Sequence, residues 1–368
     1  MEITLSKADL VRELQLVQGI VERKNSIPIL SNVLAEAKAG ELRISATDLD
    51  VSLRCGCKAR VATEGALTLQ AKKLYEIARS LPDSADVRLK AQADSWATIE
   101  CEAVSFKMAG LPREDFPALP EGKAKGGVEL PGAVLRELIA RTAFAITTED
   151  ARYYLAGALL VLEKDGAAMV ATDGHRLAYA RRTVPLTLTE PQRVLIPRKA
   201  VSEVARLLET EETALLQQVD GHLVFTIGGR TLASKMIEGQ FPAYDKVVGV
   251  TGDKVVLLDR ERLAAAIRRV SLLSSERTRT VKLNLSSGSL ELAASSPDLG
   301  EAREALETDY KGAGLEIGFN AQYILDFLAV AGGKTVALEL KDAESQGLFR
   351  PGEDGDIDYR YVVMPIRL

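Results

Sequence analysis

The chain has 368 residues, 46% of them hydrophobic and 27% charged, and its 47 Lys and Arg against 52 Asp and Glu leave a formal charge of −5. That length exceeds one ordinary core and suits two or three domains of a globular protein. The charge excludes a protein that holds nucleic acid by overall charge alone, and no apolar run reaches the roughly 18 residues of a membrane span. Met1-Glu2-Ile3-Thr4 lacks the basic-then-apolar profile of a signal peptide. Cys55, Cys57 and Cys101 offer no disulfide framework and fit a reducing cytosol. A cytoplasmic location is expected.

A short strand ending at Leu5 opens the chain, then Ser6 as an N-cap and a helix with Leu10, Leu14 and Val17 turned inward. The same grammar returns at Leu130, with Pro131 as the helix-start residue and Leu135 and Ile139 inward. It returns again at Leu258, with Asp259 as the cap and Leu263, Ile267 and Val270 inward. Alternating stretches such as 42–46 and 290–293 read as antiparallel strands with one buried face.

A second helix recurs as well. Residues 69–81 place Leu74, Ile77 and Leu81 on one face, and residues 196–208 place Val201, Val204 and Leu208 there. The basic residues Lys72 and Arg79 of the first copy return as Lys199 and Arg206, about two turns apart. A third copy at 319–331 keeps the cap (Asn320) and the apolar face (Ile324, Phe327, Ala331), but has Gln322 and Ala329 for the basic pair. Ala46-Thr47-Asp48 and Phe116-Pro117 also return, as Ala171-Thr172-Asp173 and Phe241-Pro242. One α+β unit is therefore used three times. The small, polar linkers at 121–127 and 249–253 set domains of 1–125, 126–252 and 253–368. The acidic stretch 352–356 reads as a solvated loop before the last strand. Domains that pair strands edge to edge leave one open edge at each end of the chain, and a head-to-tail contact that closes into a ring removes both. Periodicity leaves open whether helices or strands face inward.

The chemical candidates are few. In Ala171-Thr-Asp-Gly-His-Arg-Leu177, His175 as a base oriented by Asp173 would make a DNA-acting enzyme. The same residues also read as a turn, and Leu49 and Asp50 replace Gly174 and His175 in the first unit, which favours the turn. No metal site is expected: Cys55-Gly-Cys57 lacks two further ligands, and Val51, Leu53, Cys55 and Cys57 alternate as one strand face. Neither a phosphate-binding loop nor a dinucleotide fingerprint occurs, so no cofactor is expected. The repeated basic helix faces, joined by Arg268 and Arg269, suit phosphate contact without base readout, because aromatics amount to 5% and do not interleave with the charge. A ring around duplex DNA needs only a mildly positive inner surface, since topology supplies retention. An adaptor that never encloses DNA is the competing non-enzymatic reading.

Arg152-Tyr-Tyr-Leu155, Ala171-Thr-Asp-Gly-His-Arg-Leu177, Phe241-Pro242 and the tail Tyr361-Val-Val-Met-Pro-Ile-Arg-Leu368 resemble, with the threefold repeat, the bacterial β sliding clamps. These are non-catalytic processivity subunits of replicative DNA polymerases. The resemblance covers the whole length. It implies a homodimeric, head-to-tail ring of six similar domains, with helices lining the hole and antiparallel sheets outside. It also implies a partner-peptide groove on the second domain, formed by Leu155, Thr172, Gly174, His175, Arg176, Leu177, Pro242 and Val247. The tail residues Val362, Val363, Met364, Pro365, Ile366, Arg367 and Leu368 complete it, with the end of the tail lying against the pocket around Leu155, His175, Leu177 and Pro242. DNA-facing positions would be Lys24, Lys73, Arg79, Tyr154, Arg198 and Lys199, to which the repeat adds Lys72 and Arg206. Lys24 and Lys73 stand where arginine is common, and Ile366 replaces a methionine. Expected partners are duplex DNA without sequence preference, the polymerase catalytic subunit, the clamp loader, and other polymerases and repair proteins carrying short motifs. No membrane partner is expected.

Overall fold

The computed structural model describes residues 1–21, 27–122, 126–209, 213–353 and 355–368. Its helices are α1 (Lys7–Val17), α2 (Ala71–Ser80), α3 (Gly132–Thr142), α4 (Arg198–Leu207), the single turn α5 (Asp245–Val248), α6 (Arg260–Val270) and α7 (Ala321–Val330). The strand–helix–strands unit occurs three times, as the periodicity requires. Caps fall where the short polar side chains stand: Ser6 Oγ accepts from Asp9 N at 3.1 Å, Asp259 from Arg262 N at 2.8 Å, and Asn320 from Gln322 N at 2.9 Å. Pro131 differs from the expectation. It ends the strand Val128–Pro131, and α3 begins one residue later. That strand pairs on one side only, where the missing N–H of proline is tolerated.

The chain packs as two compact units, one of residues 1–133 with 199–236, the other of 134–198 with 237–368. The second repeat is therefore divided. One half continues the sheet of the first repeat and the other half continues the sheet of the third.

In the first unit a 13-stranded sheet runs without interruption because Val51–Lys58 pairs antiparallel with Arg230–Lys235, Arg54 opposite Thr231 and Val51 opposite Ser234. Behind this seam lies the fully buried Glu13 of α1. It accepts from Arg12 Nε at 2.9 Å and from Arg230 Nη2 and Nε at 2.9 and 3.1 Å. Burial works to raise its pKa, but the two guanidiniums outweigh burial and hold the carboxyl below the usual range.

In the second unit an eight-stranded sheet is joined in the same way. Arg176–Thr183 pairs with Ile357–Val363, Arg176 opposite Val363 and Leu177 opposite Val362. The two seams use equivalent strands in equivalent register. One face of this sheet carries α7, whose Phe327 packs on Phe349, Tyr359 and Tyr361 with ring centroids 5.8, 5.3 and 5.3 Å apart. The other face carries Leu159, Val170, Leu177, Leu348 and Val362, covered by Ile237, Phe241, Tyr244, Val247 and Val248. A separate four-stranded sheet has Gly300–Glu307 at one edge and Leu315–Asn320 at the other.

Candidate functional site

The motif around His175 is a closed turn. Asp173 Oδ1 accepts from His175 N at 2.9 Å and Arg176 N at 3.0 Å. Thr172 Oγ1 donates to Arg176 O at 2.6 Å and accepts from Gly174 N at 3.0 Å. Gly174 sits at φ +88°, and a Cβ there would lie 2.4 Å from Arg152 Nη1, which itself donates to Asp173 O at 2.7 Å. The first repeat builds the same turn: Asp48 Oδ1 accepts from Asp50 N and Val51 N at 2.9 and 2.7 Å, and Thr47 Oγ1 from Leu49 N at 3.0 Å. Asp173 Oδ2 accepts from Arg176 Nε at 3.0 Å. Both carboxylate oxygens are thus engaged without the imidazole, and among the described residues none orients His175 as a base.

Beyond the turn, the strand alternation divides the predicted groove residues between two faces. Thr172, Leu177 and Val362 lie opposite one another across neighbouring strands, on the face covered by Phe241, Tyr244 and Val247. Arg176 and Val363 point to the α7 face, so the expectation that they line one groove with Leu177 and Val362 is corrected. Arg176 Nη1 donates to Asp326 at 2.6 Å and Nη2 to Phe144 O at 2.8 Å, and the guanidinium lies 4.3 Å from the Tyr323 ring centroid. Burial works against its charge, but Tyr361, Asp326 and Asp173 outweigh burial and hold its pKa above the ordinary arginine value.

On the covered face, Leu177 and Val362 are buried in one apolar cluster, and Leu155 is buried as well. His175, Gly174, Pro242 and Met364 are exposed, with Val247, Pro365 and Ile366 half-buried. Met364 N donates to His175 O at 2.8 Å, which seats the start of the tail at the turn. The end of the tail departs from expectation. Ile366 N donates to Gly318 O at 2.8 Å, and Leu368 lies over Gly318, so the last residues follow the edge strand Leu315–Asn320 instead of the pocket. A glycine at 318 leaves the open edge that accepts them. The side chain of Arg367 is exposed.

The basic helix faces also separate. Lys72, Lys73 and Arg79 on α2 are exposed, the lysines near Glu76 at 3.9 and 2.7 Å and Arg79 5.6 Å from the Tyr75 ring centroid. Such exposed pairs are weak and screened. On α4, Arg198 is exposed, but Lys199 Nζ donates to Asp48 at 2.5 Å and Ile20 O at 2.8 Å. Arg206 bonds Glu203 at 2.8 Å and Gln15 O at 3.0 Å. Lys199 and Arg206 therefore bond within the first unit, with 33% and 35% of their side chains still exposed. Tyr154 is exposed and meets Tyr153 edge-on at 5.8 Å, and Lys24 lies outside the described residues.

Models of the DNA polymerase III beta subunit match the N-terminal domain to residues 1–120, the central domain to 129–243 and the C-terminal domain to 246–367. The beta sliding clamp of Pseudomonas putida is 39% identical over 371 residues and that of Caulobacter vibrioides 37% over 374, each covering all of both chains. The crystal structure of the DNA polymerase III subunit beta from Pseudomonas aeruginosa superposes with a TM-score of 0.93 at 37% identity over the full length of both chains. A sliding clamp from the same organism bound to griselimycin superposes at 0.94 and 37%, again over both full chains.

The chain belongs to the DNA polymerase III beta subunit family. Members of this beta sliding clamp family are non-catalytic processivity subunits in DNA replication, so the enzyme reading of His175 and Asp173 falls. Among the described residues no cluster of three or more His, Cys, Asp or Glu could hold a metal. Burial pushes the Cys57 thiol up to about 12 and that of Cys55 well up, the behaviour of inert packed thiols. No described helix is long and apolar enough to cross a membrane.

Sequence reasoning about this clamp missed several residues. Tyr244 and Leu348 pack in the apolar cluster with Leu177 and Val362, and Gln346 Nε2 donates to Val247 O at 2.8 Å. Tyr323 and Asp326 back the turn from α7. Phe241-Pro242 was the signal nearest to Tyr244; the others meet the site only through strand pairing.

Proposed function

We propose that the chain is a sliding clamp that closes with a second copy into a head-to-tail ring around duplex DNA, and that a groove on its second domain tethers the replicative polymerase. The clamp loader and other polymerases and repair proteins would use the same groove through short motifs. The observation that carries this reading is the repeated seam. In both intrachain junctions the strand after the Thr-Asp turn, or its equivalent, joins the last strand of the next repeat. The third such strand, Gly300–Glu307, is an edge, and Val104–Leu111 of the first repeat pairs on its second side only at Gly110 and Leu111. Repeats of 1–125, 126–252 and 253–368 supply six such domains to the ring.

Within this reading helices line the hole, and Lys72, Lys73, Arg79, Arg198 and Tyr154 meet phosphate with no sequence preference. Lys24 is a further candidate. A partner peptide lies over Leu155, Leu177 and Val362, flanked by His175, Pro242, Val247 and Met364. The clamp works in the cytoplasm. The deciding experiment is retention after loading: the protein should stay on nicked circular duplex and leave once that duplex is linearised. Light scattering should give a dimer at micromolar concentration. A monomer, or equal retention on both DNAs, rules the ring out.

A further inference from the structure

The sheet seam of the second unit carries a network on the α7 side, away from Leu177 and Val362. Arg176 stands in the groove turn, yet its side chain is directed to the opposite face. Its three nitrogens donate to Asp173, Asp326 and Phe144 O, at 3.0, 2.6 and 2.8 Å. The guanidinium plane is also packed, 4.3 Å from the Tyr323 ring centroid and 5.5 Å from that of Phe144. Three of its five N–H groups are thus taken within the unit. Asp326 is one turn further along α7 than Gln322, whose Nε2 donates to Asp326 Oδ1 at 2.7 Å, so the carboxylate is held from both sides. The same Arg176 supplies the amide that Asp173 Oδ1 accepts and the carbonyl that Thr172 Oγ1 bonds. Its neighbour His175 gives its carbonyl to Met364 N.

We propose that Arg176 and Asp326 are positioning residues of the peptide groove, holding the His175 turn and the Met364 seat from behind and making groove affinity depend on α7. This rests on the peptide-groove reading above. Loss of Asp326 leaves a buried guanidinium without its closest anion, the kind of change that moves a supporting shell. The groove residues themselves stay in place in sequence, so the effect reaches the ligand only through the turn.

The test uses the full-length protein and a fluorescein-labelled synthetic peptide carrying a Gln and a Leu-Phe pair, read by anisotropy. Asp326→Asn and Asp326→Ala are expected to weaken binding about tenfold, within the ordinary range of site-to-site coupling. Asp326→Glu should recover most of it. The double variant Arg176→Ala with Asp326→Ala should bind no more weakly than Arg176→Ala alone, because both act through one network. Amide hydrogen exchange at His175 and Arg176 should quicken in Asp326→Asn while amides of the 13-stranded sheet stay unchanged, which separates loosening of the turn from unfolding. Unchanged affinity in Asp326→Ala overturns the proposal, as does strict additivity, which would make Arg176 a direct peptide contact. If the unaltered protein fails to bind the peptide at all, the groove reading itself has failed, before any variant is compared.

Discussion

The Thr47-Asp48 and Thr172-Asp173 turns are the same object put to different use. Both close with carboxylate-to-amide and hydroxyl-to-amide bonds, and both lead into the strand that joins the next repeat. In the first turn the second carboxylate oxygen takes Lys199, and in the second it takes Arg176. The residues between differ more. Leu49 and Asp50 decorate the first turn, while Gly174 and His175 leave the second low and open beside an apolar cluster. A repeat supplies the joint, and a two-residue change at one copy leaves that joint open beside Leu177 and Val362. The comparison also teaches that a cation in such a motif points to structure first: Lys199 and Arg176 are both engaged within their own unit.

The largest effect is expected at the first seam, whose stability rests on a fully buried carboxylate. Arg230→Ala leaves Glu13 with Arg12 alone and should cost about 3–5 kcal/mol, the usual result of breaking a buried pair. Urea unfolding followed by the fluorescence of Trp96, the chain's single tryptophan, measures it in the unit concerned. The pH dependence has a definite sign. The Glu13 pKa is lowered in the folded state, first against burial and then by Arg230 and Arg12, so its contribution is present above the ordinary carboxyl value of 4.5 and is lost as pH falls through the folded value. Glu203 behaves oppositely, since burial raises its pKa over the pull of Arg206 and Lys199, and its protonation favours the fold as pH falls. Glu13→Gln should therefore flatten the acid limb of the stability curve.

Next in size is the second seam's open end. Removing Met364 to Leu368 deletes the bond to His175 O and the strap on Gly318 while leaving the paired strand to Val363 intact. One apolar anchor contributes about 1.5–3 kcal/mol, so peptide affinity should fall at least tenfold, and light scattering should still show a dimer. Unchanged affinity would place the groove elsewhere; a monomer would make the tail structural.

What could be read from the sequence follows from range. The apolar faces of the helices, the caps at Ser6, Asp259 and Asn320 and the repeated turn are local, and all stand as expected. Lys199 could not be separated from a solvated lysine because Asp48 lies 151 residues away. The division of Arg176 and Val363 from Leu177 and Val362 was equally hidden, since their facing is fixed only when the strand after the turn meets Ile357–Val363. The tail's course depends on one glycine, Gly318, at an edge that only the fold creates. The turn motif was thus legible in the sequence, and the backing of Arg176 by Asp326 and Phe144 was not.

The smallest effect comes from exchanging the turns' own residues. Leu49 is held at φ +79°, where an L side chain is crowded against its carbonyl, and it exposes its apolar surface. Asn tolerates that conformation far better, so Leu49→Asn should stabilise the first unit by about 1 kcal/mol, seen as a small rise in the urea midpoint. It should leave peptide binding untouched. Gly174 holds the equivalent place at φ +88°, and a methyl there meets Arg152 Nη1, the far end of a flexible side chain that can move. Gly174→Ala should therefore cost about 1 kcal/mol of local strain and displace Arg152 from Asp173 O, weakening the peptide several-fold without lowering the dimer. The two substitutions act on one backbone geometry, and only the second lies beside the groove. If Leu49→Asn altered peptide affinity, or Gly174→Ala did not, the division of labour between the two turns would be wrong.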